Sequence, residues 1–241
     1  MKLALQGQSL MARVLRSTSW LILGFGGAQI LRLASNLILT RLLFPEAFGL
    51  MALVTVIIVG LSLFSDMGIS NAIAQNPRGD EPDFLDSAWT VQILRGLLLW
   101  SLTGALAYPA AAFYNAPELA YCLPIAGFSL VIQGFTPTRW ETAYRHLLVG
   151  RVTAINITSQ AIGILCLVGL ALWLHSVVAL AIGSVLQEAA RLTLTRFLLP
   201  GRKNHLRWEP AATRELIGMG KWIFLSTACF FLTTQGDRAI L

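Results

Sequence analysis

Polar and ionisable side chains stand within stretches of the chain that are otherwise apolar. Arg32 is the clearest case, because it lies well inside the apolar stretch 18–39. Gln29 and Asn36 share its helical face, since positions i, i+3 and i+7 lie on one side of an α-helix. Guanidinium and amide groups donate hydrogen bonds to anions and to hydroxyl oxygens. The stripe therefore predicts either an aqueous cavity or a structural pairing of Arg32 with another helix.

Two further polar stripes occur at similar spacing in later apolar stretches. Their members are Thr153, Asn156 and Gln160 in 152–174, and Ser184, Glu188 and Arg191 in 177–199. Glu188 and Arg191 are three residues apart, a spacing at which opposite charges on a helix can pair. Any one stripe is equally typical of helix–helix packing, whereas several together favour a shared hydrophilic interior.

Asp66 and Arg95 are a second pair of ionisable candidates, in neighbouring apolar stretches. They lie at similar predicted depth, so each is a plausible partner for the other. Ionisable groups within a membrane span are by default functional, but long side chains near a helix end also extend to the membrane surface. Both interpretations remain open for this pair.

The elements that carry these groups must lie in a membrane. The chain has 241 residues, of which 56% are hydrophobic and only 12% are charged, and its net charge is +6. Soluble domains contain about 25% charged residues, so this chain has too little charge to cover a globular surface. The basic residues lie mainly in short gaps between apolar stretches, as in the cytoplasmic loops of membrane proteins. This distribution argues against binding of a nucleic acid.

Apolar stretches of membrane-spanning length recur along the chain. A spanning helix requires about 20 mainly apolar residues. Six stretches meet this requirement: Thr18–Leu39, Ala47–Ala72, Ala88–Phe113, Leu119–Thr138, Val152–Leu174 and Val177–Leu199. A seventh begins near Gly218 and reaches Leu241, while Pro124 and Pro137 are expected to kink the fourth. The predicted fold is an all-α, polytopic transmembrane helix bundle with six full spans and an incomplete seventh.

The distribution of Lys and Arg predicts the orientation of these spans. The loops after even-numbered spans carry eight basic residues, whereas the loops after odd-numbered spans carry only Arg41; the eight are Arg78, Arg139, Arg145, Arg151, Arg202, Lys203, Arg207 and Arg214. Basic loops lie on the cytoplasmic side, so we expect an inner-membrane protein with a cytoplasmic N-terminus. The expected organisation is a cytoplasmic segment 1–17, a six-helix lobe 18–199, a cytoplasmic basic linker 200–217 and the start of a second lobe at 218–241.

Cysteine and histidine residues give no indication of a cofactor or a metal. Cys122, Cys166 and Cys229 each stand alone in an apolar stretch, and the three histidines are scattered. Such cysteines behave as small buried apolar residues rather than as ligands. The sequence also lacks the motifs of nucleophilic or phosphate-binding sites, and its loops are short. We therefore expect a protein that is not an enzyme and that needs no cofactor.

One segment of the sequence resembles the first two helices of polysaccharide flippases. In that family a helix end of the form LxRxLxPxxFG precedes a helix that ends in D/S-x-G-hydrophobic-x-x-A. The matching residues are Leu39, Arg41, Leu43, Pro45, Phe48 and Gly49, followed by Asp66, Gly68 and Ala72. Residues 137–160 resemble the family's connection between its fourth and fifth helices. Residues 216–237 resemble its seventh helix, with Met219-Gly220 in place of the common Phe-Gly.

The resemblance covers nearly the whole chain and implies a fold and a function. It is to the multidrug/oligosaccharidyl-lipid/polysaccharide superfamily, and most of all to its Wzx-like oligosaccharide flippases. The chain would form the N-terminal lobe of a two-lobed transporter and one further helix. The implied substrate is an undecaprenyl-diphosphate-linked oligosaccharide for exopolysaccharide, capsule or O-antigen (lipopolysaccharide) synthesis. Implied partners are membrane lipids, a polysaccharide polymerase and chain-length proteins.

The resemblance also implies roles for the polar residues within the spans. Arg32 is the first candidate to hold the diphosphate and Arg95 the second, because a guanidinium matches phosphate geometry. The candidates for contact with sugar hydroxyls are Gln29, Asn36, Asn156 and Gln160. Asp66 or Glu188 would take part in ion coupling, with a proton or sodium gradient as the energy source.

Three other functions are compatible with a polytopic membrane protein. A multidrug or cation antiporter of the same superfamily would require an acidic cation site rather than cationic residues. A membrane-embedded glycan polymerase or ligase would require a sizeable outside loop for its catalytic residues. A noncatalytic membrane scaffold is the third alternative, and the buried position predicted for Arg32 weighs against it.

Overall fold

The computed structural model describes residues 10–42, 44–65, 68–174, 176–216 and 218, and all of its regular structure in these ranges is helical. Helices of this part of the chain are α1 (Leu10–Leu42), α2 (Pro45–Phe64), α3 (Ile69–Gln75), α4 (Pro82–Phe113), α5 (Leu119–Gly134), α6 (Arg139–Arg145), α7 (Val149–Leu174) and α8 (Val178–Leu198). Residues 210–216 are also helical. The all-α prediction is therefore confirmed.

Several of these helices are long and apolar enough to cross a bilayer. Within the described ranges they are four, Thr18–Leu42, Glu46–Leu63, Pro82–Phe113 and Val149–Leu174. The bent pair α5 and α6 meets the same standard when taken together, which raises the number to 5. The chain is thus a polytopic membrane protein. A count of six full spans stays a prediction, and the seventh, at 218–241, lies outside the described residues apart from Gly218.

Two of the predicted spans are not single straight helices. The continuous helix predicted over 47–72 is wrong, because Gly68 adopts a left-handed conformation (φ 58°) between α2 and α3. This conformation is easily accessible to glycine and ends a helix, yet hydropathy does not register it. The helix predicted over 119–138 ends at Gly134 and continues as α6 after a bend of 62°. Pro137 lies in that bend, as the predicted kink requires.

Contacts between helices define the direction in which each one runs. Trp20 packs against Gly150, and Gln160 Nε2 donates a hydrogen bond of 3.1 Å to the carbonyl oxygen of Ala28, so α1 and α7 are parallel. Gln92 and Trp100 on α4 donate to carbonyl oxygens of Gln133 and Pro124, respectively, on α5, so these helices are antiparallel.

Glycines allow α4 and α5 to approach each other closely. A Cβ atom at Gly96 would lie 2.7 Å from the carbonyl oxygen of Leu130, and one at Gly127 would lie 2.4 Å from Thr103 Oγ1. Small residues are common at such contacts in membranes because packing, rather than the hydrophobic effect, drives helices together there. The α4–α5 pair is therefore a rigid wall of the bundle.

Arginines connect three of the predicted cytoplasmic loops at one end of the bundle. Arg145 donates to the carbonyl oxygens of Ile73 (2.9 Å), in the last turn of α3, and of Asn76 (2.8 Å), directly after α3. Arg139 donates to the carbonyl oxygens of Arg196 and Leu199 at the end of α8. Cations at helix C-termini satisfy carbonyl groups that lack a partner within the helix. The loops thus meet at one end, as the charge pattern predicts; that this end faces the cytoplasm stays a prediction.

Candidate functional site

Three adjoining cavities lie within the bundle. The α1 cavity, about 540 Å³, is an open cleft lined by α1, α2, α7 and α8. The central cavity, about 360 Å³, lies between α1, α6, α7 and α8, and the α4 cavity, about 570 Å³, is lined mainly by α2, α4, α5 and α8. Gln160 and Gln187 line both the α1 and the central cavities, whereas Glu188 and Arg191 line both the central and the α4 cavities.

The α1 cavity contains the polar stripe from which the sequence argument began. Gln29, Arg32 and Asn36 line it together, so the predicted common face of α1 is confirmed. Gln160 joins them from α7. Within the described residues, the Arg32 guanidinium makes no hydrogen bond or ion pair. A permanent cation that lines a cavity in a membrane-length helix requires either water or an anionic ligand.

The central cavity brings the amides of two helices together. Asn156 and Gln160 line it from α7, and Gln187 lines it from α8. A Cβ atom at Gly163 would lie 2.6 Å from the Cβ of Gln187, which shows how closely α7 approaches α8. Carboxamides both donate and accept hydrogen bonds, so this cavity suits a ligand rich in hydroxyl groups.

Arg95 lines the α4 cavity and is held in place by α2. Its Nε donates to Ser65 Oγ at 3.1 Å, and an Nη donates to the carbonyl oxygen of Ser62 at 2.8 Å. These contacts place the guanidinium at the C-terminal end of α2, where cations are favoured. Its predicted partner Asp66, also our candidate for ion coupling, lies outside the described residues.

Glu188 and Arg191 form the ion pair that their spacing predicts. The closest oxygen–nitrogen distance is 2.6 Å, and their side chains are only 23% and 19% exposed. The Arg191 guanidinium also lies 5.5 Å from the centre of the Trp140 ring. A guanidinium over an indole is held by the electrons of the ring face. The pair therefore forms part of the wall that the central and α4 cavities share.

Several polar residues that line these cavities were not predicted from the sequence. They are Ser35 and Gln187 in the α1 cavity, and Ser62, Gln92, Ser129 and Gln133 in the α4 cavity. Gln187 and Gln92 could have been identified from the sequence, since each is an amide within an apolar stretch. The serines in this set had no such signal, because hydroxyl groups within a helix also bond to carbonyl groups of the preceding turn, as Ser129 does here.

Comparison with known proteins gives a consistent group of relatives. Residues 38–241 match the model of a family described as "Polysaccharide biosynthesis protein". The chain is 24% identical over 209 residues to an uncharacterized membrane protein in the cps region of Klebsiella pneumoniae. It is also 24% identical over 165 residues to the succinoglycan biosynthesis transport protein ExoT of Rhizobium meliloti. No solved structure matches the chain.

The chain spans less than half the length of these curated relatives. The first alignment covers 86% of this chain and 42% of the Klebsiella protein. The second covers 66% of this chain and 33% of the Rhizobium protein. The aligned region is therefore only part of each relative.

Proposed function

The chain belongs to the polysaccharide biosynthesis protein family, and on that premise we propose that it takes part in moving an undecaprenyl-diphosphate-linked oligosaccharide across the inner membrane. The membrane helices and a relative named as a succinoglycan biosynthesis transport protein support transport. In this proposal the N-terminus is cytoplasmic and the protein is not an enzyme. Its partners are the lipid-linked oligosaccharide, membrane lipids and the polysaccharide polymerase and chain-length proteins of the same synthesis.

The observation that carries this proposal is the position of Arg32 beside amides in the α1 cavity. A charged group at the centre of a spanning helix costs about 2.5–3.5 kcal/mol on insertion scales. No described residue neutralises this guanidinium. A diphosphate would supply the counter-charge, while Gln29 and Asn36 would bind the adjoining sugar. A ligand with both an anionic and a hydroxyl-rich part fits this set of donors.

The other candidate residues take roles that follow from their contacts. Arg95 is the second candidate for the diphosphate, in a position fixed by Ser62 and Ser65. Asn156 and Gln160 would bind sugar hydroxyls in the central cavity. Ion coupling remains assigned to Asp66 or Glu188. The polyprenyl tail would stay in the surrounding lipid, since apolar groups gain nothing from a wet cavity.

The charges of the cavities weigh against a cation antiporter. The described residues that line the three cavities include three arginines, Arg32, Arg95 and Arg191, and two glutamates, Glu141 and Glu188. Glu188 is paired with Arg191, which offsets its negative charge and weakens its attraction for a cationic drug. The loops opposite the arginine-rich end are also short, as only residues 114–118 separate α4 from α5. Such a loop offers little room for a polymerase or ligase site.

Deletion of the gene provides the direct test of transport. We expect the lipid-linked oligosaccharide to accumulate in the cytoplasmic leaflet and surface polysaccharide to be lost. A plasmid copy of the gene should reverse both effects. Flipped but unpolymerised units at the outer leaflet would instead indicate a polymerase. Increased drug sensitivity with normal polysaccharide would indicate an antiporter and overturn the proposal.

A further inference from the structure

The Glu188–Arg191 pair is the boundary between the central cavity and the α4 cavity. Of the described residues, these two alone line both cavities. The central cavity continues into the α1 cavity, which contains Arg32, while the α4 cavity contains Arg95. A ligand that moves directly from the central cavity into the α4 cavity therefore passes this ion pair.

The pair is close but incompletely bonded. Arg191 Nε is buried and has no hydrogen-bond partner within the described residues, whereas Arg191 Nη2 lies 2.6 Å from Glu188 Oε2. Buried polar groups without partners are unfavourable, so a better acceptor would be favoured at Arg191. Trp140 lies against the guanidinium and supports it when the carboxylate moves away.

We propose that Arg191 is an anion-exchange site at which Glu188 occupies the place of a phosphate group. A phosphate of the lipid-linked substrate displaces the Glu188 carboxylate and binds the guanidinium through two parallel hydrogen bonds. The inference rests on the proposed function and adds a control step to it. The other charged or titratable groups that face this boundary are Arg95 and Glu141 in the α4 cavity and Tyr144 in the central cavity.

The two partners of such a site respond to substitution in opposite directions. Glu188→Gln removes the competing carboxylate and should tighten anion binding, whereas Arg191→Gln removes the cation and should weaken it. If the pair served only to hold α8 together, neither substitution would tighten binding. The sign of the Glu188→Gln effect therefore separates the two roles.

The experiment measures binding of farnesyl diphosphate to the purified chain in detergent. We expect Glu188→Gln to tighten binding at least about threefold and Arg191→Gln to weaken it about tenfold, in line with the strength of charge-assisted hydrogen bonds. Arg191→Lys should also weaken it, because an ammonium lacks the planar fork. Glu46→Gln, at an exposed carboxylate outside the cavities, is the matched control and should leave binding unchanged.

Uncharged farnesol and inorganic pyrophosphate identify what the site binds. The binding of farnesol should not change with any of these substitutions. If pyrophosphate binds as tightly as farnesyl diphosphate, the site recognises a free phosphate anion, and the proposal of a lipid-linked ligand is overturned. If Glu188→Gln does not fold, Glu188→Gln/Arg191→Gln leaves no unpaired charge and should bind more weakly than the original chain.

Two results would overturn the exchange site itself: weaker binding in Glu188→Gln, or unchanged binding in Arg191→Gln. Either would leave the proposed function standing, because that rests on Arg32 and on polysaccharide export. Conversely, normal polysaccharide export after deletion of the gene would overturn the proposed function, independently of how farnesyl diphosphate binds in detergent.

Discussion

The side-chain amide of Gln160 donates a hydrogen bond of 3.1 Å to the carbonyl oxygen of Ala28 and so joins α7 to α1. Both residues line the α1 cavity and the central cavity. The bond therefore fixes the spacing between the helix that carries Arg32 and the helix that carries Asn156. It connects the architecture of the bundle directly to the candidate site.

Substitution of Gln160 should affect the site more than it affects stability. Interhelical hydrogen bonds in membrane proteins contribute about 0.6 kcal/mol on average, so Gln160→Ala should lower the melting temperature only slightly. Loss of the Gln160 amide from the α1 and central cavities should reduce polysaccharide export several-fold. Trp100→Phe is the matched control, because the Trp100 indole makes an equivalent 3.1 Å bond to the carbonyl oxygen of Pro124 outside the α1, central and α4 cavities. Equal export by the two variants would argue against a role for the amide in substrate contact.

Arg32 should be required for export but not for folding. Arg32→Gln, introduced at the chromosomal locus, removes the cation and should abolish surface polysaccharide while the amount of protein in the membrane is unchanged. Arg32→Lys should retain partial export, since it keeps the charge and loses the planar fork. Arg41→Gln, near the end of α1, is the control and should export normally. Normal export by Arg32→Gln would remove Arg32 from the diphosphate role.

Local patterns were sufficient for the parts of the site that lie on one helix. The stripe of Gln29, Arg32 and Asn36 follows from helical periodicity, and the Glu188–Arg191 pair follows from their spacing. The junction of the α1 and central cavities at Gln160 was not predictable, because it depends on which helices pack together. The break at Gly68 was hidden for another reason: apolar residues continue across it, and hydropathy carries no information on backbone conformation.

Water should reach the polar face of α1 and not the side that faces lipid. In a chain whose cysteines are replaced by serine, Gln29→Cys and Asn36→Cys should react with a charged thiol reagent in intact membranes. Ile30→Cys and Leu37→Cys should not, although both side chains are 69% exposed in the structure, because lipid rather than water covers them. Equal reactivity of all four positions would contradict a membrane-embedded α1. Unreactive cysteines at positions 29 and 36 would mean that the stripe serves packing.

Asp86 should fasten the segment that follows α8. Its carboxylate is only 2% exposed and accepts hydrogen bonds from the backbone N–H of His205 (3.1 Å) and from Arg202 (3.3 Å). Hydrogen bonds to a charged group contribute about 1.5–3 kcal/mol. Asp86→Ala should therefore release residues 202–209 from the first turns of α4. Trypsin should then cut after Arg202 and Lys203 at least ten times faster than in the original chain, a ratio consistent with a loss of about 1.4 kcal/mol.

Asp83 provides a matched control for this prediction, because it pairs with Arg207 of the same segment while both side chains are largely exposed. Exposed ion pairs contribute about 0–1 kcal/mol, so Asp83→Ala should leave the cleavage rate almost unchanged. Mass spectrometry of the fragments identifies the cut sites and separates local release from general unfolding. Rapid cleavage in both variants would show that net negative charge at the start of α4 holds the segment, rather than the buried bonds of Asp86. Slow cleavage in both would show that the segment is held by the packing of Ala212 and Leu216 against α3 and α4.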